Sequence, residues 1–182
     1  MKHYGRIAGF AVLSMLMFAN LSYAKSAREI DASVDTALER FQREVFAAKD
    51  MIRKAKGVLV FPTVIKAGIG LGGEYGVGAL RVQGRTVDYY NIIGGSFGFQ
   101  LGGQVRSIYI LFMEDSVLNH FRASSGWKAG VDGSVALVAI GSGGSLDTTK
   151  TNQPIIAFVL GQKGLMYNLT LEGSKFNKIK PS

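Results

Sequence analysis

Twelve of the chain's 24 glycines lie between residues 64 and 103. A helix through that segment would give up about 1 kcal/mol at each glycine relative to alanine. Between the glycines stand β-branched and aromatic residues such as Val64, Ile65, Val77, Tyr89, Tyr90, Ile92 and Ile93. That combination predicts strands, in pieces at 64–72, 77–83, 86–93 and 96–101. Glycine inside a strand marks a bulge, a sharp coil or the close approach of another backbone. Gln83-Gly84-Arg85 reads as a hairpin turn. Gly57 to Phe61 is a short apolar run stopped by Pro62, and Val105 to Met113 reads as a central strand.

Before this segment the period is helical. Ile30, Val34, Ala37, Leu38, Phe41, Val45, Ala48, Ile52 and Ala55 recur at three- and four-residue steps, which predicts one amphipathic helix over 26–55. Ser26 with Glu29 three residues on forms a capping box. The other face mixes acids and bases, among them Asp31, Asp35, Glu39, Arg40 and Arg43. Mixed charge predicts a solvated face on a helix docked to a core, where a membrane-surface helix would be more uniformly basic. A short helix is expected at 115–123 and a strand at 131–140. A final hairpin is expected from 155–160 and 165–171 around Gly161–Gly164, followed by a frayed basic tail at 174–182. The fold class is α+β: an N-terminal amphipathic helix packed on a Gly-rich, mostly antiparallel β-barrel or sandwich, with one further short helix.

The start of the chain reads as an address. Lys2 and Arg6 precede an apolar stretch from Ile7 to Leu21, and Ser22-Tyr23-Ala24 fits a signal-peptide cleavage site. The expected organisation is a signal peptide at 1–24 and a single domain at 25–182. Of 21 basic and 13 acidic residues, only Lys2 and Arg6 lie in the leader, so the net charge falls from +8 to +6. Export without any cysteine suits a periplasm. The lack of cysteine excludes a disulfide scaffold, a thiolate metal site and a cysteine nucleophile.

Several motifs imitate catalytic ones. Gly68-Ile-Gly70-Leu-Gly72-Gly73 has dinucleotide spacing, but that site needs a helix immediately afterwards, and Glu74-Tyr75-Gly76-Val77-Gly78 is no helix. Gly94-Gly95-Ser96-Phe97-Gly98 has the spacing of a nucleophile elbow, which also needs a following helix and a base. His120 is the one histidine after residue 24, and no triad order joins it to Ser96. One histidine and scattered carboxylates give no metal cluster. No catalytic residue, metal or cofactor is predicted, and no nucleic-acid motif is present.

The basic residues are more informative. Arg53, Lys54, Lys56 and Lys66 flank the first strand, with no acid between Asp50 and Glu74, and Lys163 falls at the expected hairpin tip. Converging strand ends would make them an anion-attracting patch.

Four stretches, in order and spanning about residues 40–175, resemble the SYLF domain family. They are Lys54–Pro62 running into Val64–Leu80, then Gly95–Gln104, Gly130–Val135 and Gly164–Gly173. The resemblance implies a binding module rather than an enzyme, with lipid binding as the leading activity of exported bacterial members. Arg106 stands where many relatives carry an acid. The expected function is therefore a non-enzymatic exported module, periplasmic or membrane-associated, that binds anionic phospholipid or a membrane surface. Lys54, Lys56, Lys66 and Lys163 are the expected headgroup contacts. The alternative is a structural or protein-interaction role with an envelope protein as partner.

Overall fold

The computed structural model describes residues 25–139, 152–164 and 170–182. The expected leader, the glycine cluster at 141–145, most of the 145–153 loop and the start of the expected strand at 165–171 lie outside them.

Two helices open the fold, α1 (Ala27–Glu44) and α2 (Ala48–Lys54). The capping box forms as expected, with Ser26 and Glu29 exchanging hydrogen bonds. The single helix expected over 26–55 is broken at Val45, which adopts an extended conformation. The break keeps the apolar stripe on the core: Val45, Ala48 and Met51 are all buried with Val34 and Phe41.

The glycine-rich segment is one hairpin of unusual length. Strand β1 (Gly57–Val82) pairs antiparallel with β2 (Arg85–Phe112) from Gly57↔Phe112 to Val82↔Arg85. The expected short pieces are thus continuous strands with register shifts near 61/64, 69/71 and 80/81. Gln83 and Gly84 both have positive φ, as the tight two-residue turn requires. Helix α3 (Asp115–Ala123) falls at the expected position. Then come β3 (Trp127–Lys128), β4 (Ala136–Ala139), β5 (Ile155–Gly164) and β6 (Lys175–Ile179). Of the strand expected at 131–140, the described residues keep four.

Two expectations for the C-terminal part are corrected. Gly161–Gly164 is no turn, because β5 runs through it and pairs with β2 as far as Gln104↔Gly164. Gly161 takes a positive φ beside the register shift between Val105 and Ser107, so this glycine serves a bulge. Nor is the basic tail frayed. β6 pairs with residues 89–93 of β2, because Phe176 is buried against Phe61, Phe121 and Trp127.

The hairpin is folded back on itself. A side chain added at Gly78 would stand 2.0 Å from the carbonyl oxygen of Val60, and one at Gly76 would meet Thr63 and Val64 at 2.8 Å. The second half of β1 therefore runs against the backbone of its first half, and the sheet curls into a half-barrel. Alternation then sorts the side chains. Leu59, Phe61, Ile108, Ile110, Phe112, Ala157 and Val159 point inward to a core closed by Leu118, Phe121, Trp127 and Phe176. Val58, Val60, Tyr109, Leu111, Ile156 and Phe158 point outward beneath α1 and α2. Phe41 stacks on Tyr109 with centroids 4.4 Å apart, and the Tyr109 hydroxyl donates to the Ala37 carbonyl.

Asp31 and Asp35 of α1, on the face expected to be solvated, also clamp the hairpin end; Asp35 stays exposed and Asp31 is half-buried. Asp31 accepts from the hydroxyls of Thr86 and Tyr89, and Asp35 from Arg81 at 2.7 Å.

Gly78→Ala should cost about 3 kcal/mol or more, since backbone rather than a flexible side chain blocks the new methyl. Gly95→Ala, with open space around it, should be close to neutral; urea midpoints of the two variants decide. Burial raises the pKa of Tyr109, so its native phenol holds its proton where an unfolded one loses it. Stability from this group is intact below about pH 10 and falls as pH rises beyond it. A melting-temperature profile from pH 8 to 11 should show a loss that Tyr109→Phe reduces.

Candidate functional site

The folded hairpin has two ends of different chemistry. At the first, its tip at Gln83-Gly84 returns to the start of β1, beside α2 and α3. A groove of about 680 Å3 opens there. Its walls include the apolar Leu38, Ile52, Val58, Val82 and Leu118 and the cations Arg53, Lys54, Lys56, Arg81 and Arg122.

The cations differ in how far they are committed. Arg81 is held by Asp35 at 2.7 Å, Arg53 by Asp50 at 2.8 Å and Arg122 by Asp88 at 3.0 Å. Lys56 reaches Asp115 only at 3.7 Å, with both groups largely in water, a pair worth little. Lys54 is exposed and has no carboxylate at ion-pair distance among the described residues. Lys54 and Lys56 are thus the groove's available positive charges. They stand there because α2 ends at Lys54 and β1 begins at Gly57, so the link between helix and strand projects them.

At the other end the inward face of the sheet turns polar. Lys66, Glu74 and Arg106 are 6%, 8% and 1% exposed. Arg106 donates to one Glu74 carboxylate oxygen and the Ser174 hydroxyl donates to the other. The Nε and Nη1 of Arg106 are buried with no hydrogen-bond partner among the described residues. Lys66 borders a cavity of about 40 Å3, room for little more than ordered water.

The four expected lysines are therefore split. Lys54 and Lys56 share the groove, while Lys66 is buried far along β1 and does not reach that surface. Lys163 is no hairpin tip; its backbone pairs with Val105 in mid-sheet, and its side chain lies outside the described ones. Strand alternation, read through the shift between Phe61 and Val64, was the signal that could have put Lys66 inside. Sequence reasoning missed the groove's arginines Arg81 and Arg122, which only the return of the hairpin tip brings to α2 and α3.

The catalytic imitations dissolve in the same geometry. β1 passes straight through Gly73, so no helix receives a pyrophosphate. Ser96 lies within β2 opposite Gly72, and its side chain is outside the described ones. His120 is exposed on α3, which packs at the groove end against Gly57 and Phe112. Among the described residues no group of three His, Asp or Glu could hold a metal ion. No described helix is long and apolar enough to cross a membrane.

A family model described as Ysc84, Las17-binding protein actin regulator, matches residues 93–180. Residues 93–180 thus match the SYLF, or Ysc84, domain model. The matched SYLF segment contains the motifs at Gly95–Gln104, Gly130–Val135 and Gly164–Gly173, while the Lys54–Leu80 motif precedes it. The chain is also 31% identical over 160 residues to beta cell expansion factor A of Aeromonas veronii, an alignment covering 86% of this chain. It spans 59% of that relative's length. SYLF domains are binding modules, which agrees with a groove built from charge and apolar surface.

Arg106 is the buried partner of Glu74. Glu74→Leu should therefore destabilise the fold by about 3–5 kcal/mol, because it strands a buried cation. Adding Arg106→Met should recover most of the loss. A double-mutant cycle of urea midpoints measures both.

Proposed function

We propose that this chain is an exported, non-enzymatic module that binds anionic phospholipid, with the headgroup held in the groove by Lys54 and Lys56. One observation carries the reading. The groove joins uncommitted cations to an apolar floor of Leu38, Ile52, Val58, Val82 and Leu118, the two chemistries an anionic amphiphile presents. Its volume suits a headgroup with its first acyl carbons rather than a whole lipid. The leader-like sequence at 1–24 supports export, and the periplasmic face of an envelope membrane offers such lipids. The match of residues 93–180 to a family of binding modules supports a binding role.

Lys56 gives up little on binding, since its contact with Asp115 is long and solvated. Arg81 contributes field rather than contact, because it is already bound to α1.

Titration with a short-chain, water-soluble phosphatidylglycerol, kept below the concentration at which it forms micelles, tests the reading without a bilayer. Each lysine beside the headgroup is worth roughly 1 kcal/mol, so Lys54→Gln with Lys56→Gln should weaken binding about thirty-fold. Wild-type binding should fall steeply between 50 and 300 mM salt as the screening length drops through about 8 Å. Equal binding of the matching phosphatidylcholine, or no loss in the double variant, would remove the groove from the mechanism.

A further inference from the structure

The outward face of the sheet is not apolar only beneath the helices. Ile65, Tyr75, Ile93 and Val105 are each between 44% and 55% exposed. They form two cross-strand pairs, Ile65↔Val105 and Tyr75↔Ile93. Their strand neighbours Val64, Lys66, Glu74, Ile92, Gln104 and Arg106 are buried, so alternation turns all four outward. Gly76 lies against Thr63 and Val64, and the fold-back therefore sets one pair beside the other. Four large apolar side chains thus share a patch at the end of the sheet remote from the groove.

The row through Tyr75 continues across the sheet. Tyr75 pairs with Ile93, Ile93 with Lys175 and Lys175 with Lys128. Directly paired positions point to the same face, so the row reads aromatic, aliphatic, cation, cation. Lys175 and Lys128 are exposed, and neither ammonium has a carboxylate at ion-pair distance among the described residues, although Asp132 accepts from the Lys128 backbone N–H at 2.6 Å. Like charges directly opposite each other cost stability in the free protein. An anionic partner would remove that cost. A second copy meeting this face about a two-fold axis would bring the lysines together and raise it. An aromatic–aliphatic patch bordered by lysines is the composition that suits a bilayer interface, with the ring among the headgroups and the ammonium groups on the phosphates.

We infer that Ile65, Tyr75, Ile93 and Val105, with Lys175 and Lys128 beside them, form the face that docks this chain onto an anionic bilayer. The inference rests on the lipid-binding reading but assigns the bilayer contact to the end of the sheet away from the groove. In that orientation the groove faces the aqueous side and takes a headgroup that does not belong to the docked membrane surface.

The chain has no cysteine, so single cysteines can carry an environment-sensitive dye without background. Full-length protein with Ile93→Cys, Asn119→Cys in the groove wall, or Phe46→Cys in the exposed α1–α2 link is labelled and mixed with vesicles containing one third phosphatidylglycerol. The dye at 93 should shift to the blue, and the dyes at 119 and 46 should stay in water. Tyr75→Ser with Ile93→Ser should lower the partition coefficient at least ten-fold at every salt concentration. Lys175→Gln with Lys128→Gln should lower it about thirty-fold at low salt only. Thermal melts check that both variants remain folded, and the labelled forms report even where a variant does not. If wild type binds but the dye at 119 shifts while that at 93 does not, the groove is the docking end; the inference then falls and the lipid-binding reading stands. If wild type ignores anionic vesicles, the inference falls, and the short-chain titration decides the lipid-binding reading.

Discussion

The contact on which everything else depends is backbone against backbone, where Gly76 and Gly78 lie on the stretch from Val60 to Val64. A flat hairpin of this length would leave one face in water along its whole run. Folding it back lets the inward residues of one half cover those of the other. Leu59, Phe61 and Val64 then share a core with Leu80, Tyr90 and Ile92, residues of the same hairpin. Side chains at 76 and 78 would hold the halves apart and open that core. The remaining elements complete what the fold-back begins: α1 and α2 cover the outer face, α3 and β3 plug the inner one, and β5 and β6 extend the edge of β2.

Both ends of the molecule follow from the same bend. The tip returns to the helix–strand link and makes the groove, with arginines from β1 and α3 set beside the lysines at and just after the end of α2. The other end cannot fill its interior with apolar atoms alone, and it carries Glu74, Arg106 and Ser174 there as a bonded cluster. Burial makes that cluster expensive unless it is complete, so its geometry is tightly specified. It fixes how the chain near Ser174 meets β1 and β2, and hence where β6 and Lys175 sit on the outer face.

Much of this was legible in the residues. The capping box, the helix at 115–123, the turn at Gln83-Gly84 and the β character of the glycine-rich segment all follow from local chemistry. Glycine density also announced close backbone approach, and Gly76 and Gly78 bear it out. What was not legible depends on long-range pairing. Nothing local says that Gly161–Gly164 continues a strand, because the bulge it serves is defined by Val105 and Ser107 on β2. Phe176 stands in a run of lysines, and only its contact with Phe61, Phe121 and Trp127 makes that run a strand. Lys66 looked like surface because lysines are; the register shift after Phe61 decides its side, and pairing with β2 sets that shift. Of the expected site, the half next to α2 was found from sequence and the half brought by the hairpin tip was not.

The placement of β6 has a consequence for the order in which the molecule can be assembled. Its Phe176 closes an aromatic cluster whose other members come from residues 61, 121 and 127. A chain growing from its amino end can form α1 and zip the long hairpin well before residue 176 is available. Until then the inner core stands open on the side that Phe176 will cover, and the edge of β2 at residues 89–93 lacks its partner. Such an intermediate exposes apolar rings and an unsatisfied strand edge together, the pairing of features that invites association with other chains. The protein is therefore most vulnerable in the interval before its last strand docks, and a factor that shields nascent chains would act on it there.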